Sequence, residues 1–117
     1  MDKTQLDYKE ARNVLQKLFD TMHRTARNHG FWDDPNPNVG EKIALMHSEL
    51  SECLEALRHK NPYDTHLPDY KSAEVELADC IIRIVDFARY MDWPLEDALL
   101  AKMNYNETRP YKHGKTF

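Results

Sequence analysis

The stretch Val75-Glu-Leu-Ala-Asp-Cys-Ile-Ile-Arg-Ile-Val-Asp-Phe-Ala-Arg-Tyr-Met91 decides the fold. Its apolar residues, Val75, Leu77, Cys80, Ile81, Ile82, Ile84, Val85, Phe87, Ala88 and Met91, do not alternate as on a strand but follow helical spacing. At about 100° per residue they cover well over half of a helix circumference. A helix so apolar is buried on several sides, more than one layer of a small bundle requires. The stretch therefore predicts both a helical domain and a second subunit packed against it. A narrow polar strip remains, made of Glu76, Asp79, Arg83, Asp86 and Tyr90.

Outward from this helix, placed at about 71–91, the same periodicity marks three more. The preceding one runs from about Val39 to Lys60, with Ile43, Met46, Leu50, Cys53, Leu54 and Leu57 as its stripe and Asn61-Pro62 as its stop. The first runs from Thr4, a candidate N-cap, to about His29, with Leu6, Val14, Leu15, Leu18, Met22 and Ala26 apolar and Gly30 ending it in a left-handed conformation. Pro94 opens the last, which closes near Glu107 before Arg109-Pro110 and a basic tail. The segment Phe31–Asn38, with two prolines and four Asp or Asn residues, is a loop, as is the segment through Leu67-Pro68. The expected fold is an all-α four-helix bundle, helices about 4–29, 39–60, 71–91 and 94–107. It forms a single domain over 1–117, assembled as a homodimer or homotetramer.

Composition narrows the function classes. A net charge of −4 with a pI near 5.8 argues against a nucleic-acid partner, which calls for a strongly basic face. No apolar run is long enough for a signal peptide or a membrane span, so the cytoplasm is the expected compartment and no membrane partner is expected. Cys53 and Cys80 both fall at apolar helical positions and read as buried thiols rather than a disulfide.

Two acidic pairs carry the chemistry, Glu49-Leu-Ser-Glu52 and Glu76-Leu-Ala-Asp79. Residues three apart on a helix are surface neighbours, so each pair puts two carboxylates on one face. Either pair alone reads as a solvated face with ordinary pairings, such as Asp79 with Arg83. On consecutive antiparallel helices the two pairs would converge, and a divalent cation would relieve their repulsion. Hard oxygen donors without His or Cys suit magnesium, or manganese, better than zinc. A di-iron bundle would need Glu-x-x-His on two helices, and only Asp20-x-x-His23 comes close.

A magnesium carboxylate site commonly handles phosphate, and the C-terminal segment supplies matching charge. Lys102 and Asn106 lie one turn apart on the fourth helix, followed by Arg109, Lys112, His113 and Lys115. In the first loop Trp32 is the candidate for stacking on a base, whereas Phe31 reads as a lid on the core.

These residues together resemble a known pattern. Glu49-x-x-Glu52 followed by Glu76-x-x-Asp79 is similar to the signature of the all-alpha nucleoside triphosphate pyrophosphatases, which include MazG, the dimeric dUTPases and the dCTP pyrophosphatases. Ala44–Glu52, Glu76–Arg83 and Lys102–Lys115 are similar to small MazG-like proteins of bacteria and phages, and His29-Gly-Phe-Trp32 fits the same subgroup. The resemblance spans about residues 29–117. It implies magnesium held by Glu49, Glu52, Glu76 and Asp79, and hydrolysis of a nucleoside triphosphate between the α and β phosphates. Glu49 or Glu52 would orient or deprotonate the water, and Lys102, Asn106, Arg109, Lys115 and Trp32 would contact substrate. Arg83 stands where dCTP-type members carry a tyrosine, so their base preference is not implied. The rival expectation is a noncatalytic helical module for oligomerisation or nucleotide sensing.

Overall fold

The computed structural model describes residues 5–116. Four helices follow one another, α1 Tyr8–Asn28, α2 Val39–Arg58, α3 Ser72–Tyr90 and α4 Leu95–Glu107, and a single 3-10 turn spans Tyr111–Gly114. The bridge between Tyr63 and Lys71 is isolated, and no strand forms among the described residues.

The first helix starts later than expected. Thr4 lies outside the described residues, and Leu6, assigned to the apolar stripe, is exposed ahead of the helix. The Asp7 carboxylate accepts a hydrogen bond from the Glu10 backbone N–H at 3.1 Å, making Asp7 the N-cap. Asn38 does the same for α2, accepting from Glu41 N–H at 3.0 Å.

Three helices share one kind of ending. Gly30 (φ 85°), Lys60 (φ 65°) and Asp92 (φ 58°) adopt the left-handed conformation just beyond their caps. The following N–H then reaches back five residues, Phe31 to Ala26 at 3.1 Å, Asn61 to Ala56 at 2.7 Å and Trp93 to Ala88 at 2.9 Å.

The most extensive packing is between α2 and α3; α1 also lies on α3, and α4 packs on α1 and α3. The core is small: Phe19 from α1, Ala73, Cys80, Val85, Phe87 and Ala88 from α3, and Leu100 from α4. Arg89 ties three helices, with Nε donating to Asp20 at 2.8 Å and the Nη groups to Glu96 and the Trp93 carbonyl. Cys80 is buried and Cys53 only half-buried, and both are free thiols. Leu50, Leu54 and Leu57 of α2 and Leu77, Ile81, Ile82 and Ile84 of α3 remain exposed on the single chain. No helix among the described residues is long and apolar enough to cross a membrane.

Candidate metal centre

The polar strip of α3 faces α2, and there the two acidic pairs meet. One carboxylate oxygen each from Glu49, Glu76 and Asp79 lies within 4.8 Å of the others. Glu49 is the anchor: it is only 6% exposed, and its Oε1 accepts a hydrogen bond from Arg83 Nε at 2.8 Å. Its Oε2 is buried with no hydrogen-bond partner. A buried oxygen in that state is costly unless something binds it. Glu52, the fourth expected ligand, is exposed and not among the three whose oxygens converge, though it lies near enough to act on Glu76.

The electrostatics follow from this crowding. Burial, then hydrogen bonding and repulsion from Glu49 and Glu52, pushes the Glu76 carboxyl up to about 8. Asp79 is exposed, yet partial desolvation and the Glu49 charge raise it, with Arg83 opposing and Asp64 adding to the rise. Burial also acts to raise Glu49, but the Arg83 guanidinium bonded to Oε1, helped by the neighbouring Glu76 and Glu52 carboxyls, outweighs it and holds the group below the ordinary carboxylate value. The Arg83 guanidinium offsets part of the negative charge of the cluster. These three oxygen donors could hold a metal ion, and no His or Cys belongs to the set.

Above the carboxylates opens a cleft of about 560 Å³, lined by Glu49, Asp79 and Arg83 and walled by Phe31, Trp32, Lys42 and Asp86, among others. Trp32 is half-buried and held from several directions. Its ring stacks on Tyr90 with centroids 4.0 Å apart, its Nε1–H donates to both Asp86 oxygens at 2.9 and 3.0 Å, and Lys42 Nζ sits 4.5 Å from its centroid. His23 Nδ1 hydrogen-bonds Asp86 at 2.6 Å, placing a residue of α1 behind the same wall. Asp20 pairs with Arg89, so the Asp20-x-x-His23 motif is spent on structure rather than on a metal. Phe31 is 60% exposed at the cleft edge and is not the core lid expected of it. The turn after α1 orients it outward while its carbonyl accepts from Lys42 Nζ at 3.3 Å.

The C-terminal candidates lie elsewhere on the chain. Lys102 Nζ sits 4.7 Å and the Arg109 guanidinium 5.6 Å from the Tyr105 ring centroid. Asn106 is half-buried with Oδ1 unpaired, and Lys115 is exposed on the tail. None of the four lines the cleft within one chain. Lys42, Arg83 and Asp86, in contrast, do. Lys42 stands seven residues before Glu49 and Asp86 seven after Asp79, spacings that return to the same helix face. His23 carries no such signal.

Comparison with protein-family models, with curated proteins and with solved structures returned no match.

Proposed function

We propose that this chain is a magnesium-dependent nucleoside triphosphate pyrophosphohydrolase that cleaves between the α and β phosphates, releasing monophosphate and pyrophosphate. The observation that carries the reading is the convergence of Glu49, Glu76 and Asp79 beside a cleft, with one Glu49 oxygen buried and unpartnered. The resemblance of the acidic pairs and the C-terminal segment to MazG-like enzymes supplies the bond cleaved. Glu49, Glu76 and Asp79 would hold the cation, and manganese could replace magnesium. Bound there, a divalent cation neutralises phosphate oxygens and lowers the pKa of a coordinated water.

The protein's own groups divide the remaining work. Glu49 is committed to Arg83 and buried, which leaves exposed Glu52, one helical turn away, as the carboxylate that orients or deprotonates water. Trp32, fixed by Asp86 and Tyr90 with Lys42 over its ring, stiffens the cleft wall rather than offering a free face to a base. Lys102, Asn106, Arg109 and Lys115 do not line the cleft of their own chain, so in this reading a second copy brings them to it. The uncovered apolar residues of α2 and α3 support that homo-oligomer.

The test is incubation of the purified chain with magnesium and a panel of nucleoside triphosphates, with identification of products. Monophosphate plus pyrophosphate is expected. Glu49→Gln should lower kcat/KM about 100-fold or more, since it removes several kcal/mol of charge stabilisation. No turnover of any triphosphate, or wild-type turnover by the variant, defeats the reading. A noncatalytic module would also gain no thermal stability from magnesium, whereas a site present only in the folded state must.

A further inference from the structure

Arg83 is built differently from the arginines that tie this bundle together. Arg89 spends all three guanidinium nitrogens on Asp20, Glu96 and the Trp93 carbonyl. Arg12 likewise engages Asp97 and Gln16 through Nε and both Nη atoms. Arg83 makes one protein contact, Nε to Glu49 Oε1 at 2.8 Å, and its two Nη groups have no hydrogen-bond partner among the described residues. Its side chain is 37% exposed and lines the cleft, while the carboxylate it holds is buried. A planar guanidinium anchored at Nε presents its remaining N–H donors as a fork, the shape that matches the paired oxygens of a phosphate.

The spacing explains how one side chain serves both ends. Arg83 follows Asp79 by four residues and Glu76 by seven, so it sits on the same face of α3, one turn farther along. It therefore stands between the carboxylates and the body of the cleft. Without a metal, its positive charge is the counter-ion of Glu49. With a cation among the carboxylates, that charge competes with the cation for Glu49 and becomes more useful to an anion beside it.

We propose that Arg83 is the anion-binding arm of this cleft: Nε keeps Glu49 in place, and the Nη groups grip non-bridging oxygens of a phosphate chain lying over the carboxylates. The inference rests on the magnesium reading above and adds a substrate contact to it. It carries a signature that a purely structural ion pair lacks, because loss of the positive charge acts on cation and anion with opposite signs. Removing a competing cation tightens magnesium, and removing the fork loosens the phosphate.

Calorimetric titration of the full chain tests this with two probes, magnesium alone and then inorganic pyrophosphate in excess magnesium, neither of which needs turnover. For Arg83→Gln, magnesium should bind severalfold tighter. Pyrophosphate should bind about tenfold weaker or more, the scale of one charge-assisted hydrogen bond. Arg83→Lys keeps the charge without the fork, so magnesium should bind as in wild type while pyrophosphate still weakens. That variant carries the test if the Gln protein fails to fold. Unchanged pyrophosphate affinity in the Lys variant, or weaker magnesium binding together with unchanged pyrophosphate in the Gln variant, overturns the role of Arg83 and leaves the metal site standing. Absence of magnesium binding to the wild-type chain overturns the metal reading itself.

Discussion

Glu76 sits where the carboxyls of Glu49 and Glu52 crowd it, and burial with those neighbours moves its pKa from 4.5 to about 8. Between those two values the folded protein keeps a proton that the unfolded chain has released, so unfolding free energy falls as pH rises through that window. The shift of Asp79 has the same sign. Glu49 is shifted the other way, and its contribution changes only below the ordinary carboxylate range. In chelator, wild-type Tm should therefore decline from pH 5 to pH 8 more steeply than that of Glu76→Gln, and the variant should be the more stable of the two at pH 8. Melts recorded across that range decide it, and parallel curves would show that Glu76 holds no shifted proton. Three-residue spacing pairs Glu49 with Glu52 and Glu76 with Asp79 in the sequence, and the structure brings together Glu49, Glu76 and Asp79 while Glu52 stays outside their convergence. Spacing does not say how deep each side chain goes: the anchoring of Glu49 by Arg83 and the exposure of Glu52 depend on where α2 and α3 cross.

At the scale of elements, α3 reads directly from the sequence because its apolar residues leave a single wet strip, and that strip does face the site. Its other partners read less well. Lys102 and Asn106 share a face of α4, but a four-residue spacing cannot say which neighbour that face meets, and α4 packs on α1 and α3 without reaching the cleft of its own chain. Glu96 sits in the first turn of α4, 3% exposed and paired with Arg89, seven residues upstream, which also holds Asp20 of α1. That network joins α1, α3 and α4 where the hydrophobic core is thin. Removing Glu96 leaves Arg89, 13% exposed, with exposed Asp20 as its one carboxylate partner, so Glu96→Ala should lower unfolding free energy in urea by about 2–3 kcal/mol. Arg12→Ala, which breaks a half-exposed pair with Asp97 between the same α1 and α4, should have little effect. Equal losses in the two variants would mean that the buried network is not what fastens α4.

The whole molecule exposes more surface than a chain of its size should. Its accessible area is 9339 Å² for 13.8 kDa, against about 6,600 Å² for a compact monomer of that mass. Its radius of gyration of 17.0 Å likewise exceeds the roughly 13 Å of a compact domain of this length. The difference of about 2,700 Å² per chain, about 5,400 Å² for two chains, lies at the upper end of the total area covered in obligate subunit interfaces. Its chemistry is apolar where α2 and α3 face outward, with Leu54 52% and Ile81 55% exposed among several like them. Polar exchanges at such positions would cost a free monomer little, but inside a subunit interface they would bury unpaired charge. Wild-type protein at micromolar concentration should therefore scatter light as at least a dimer, and the double exchange Leu54→Glu with Ile81→Glu should shift it to monomer while retaining helical circular dichroism. A wild-type monomer would leave those leucines and isoleucines unexplained and would remove the route by which Lys102, Asn106, Arg109 and Lys115 reach a cleft. If the dissociated variant also loses triphosphate turnover while still binding magnesium, cation binding belongs to one chain and turnover to the assembly.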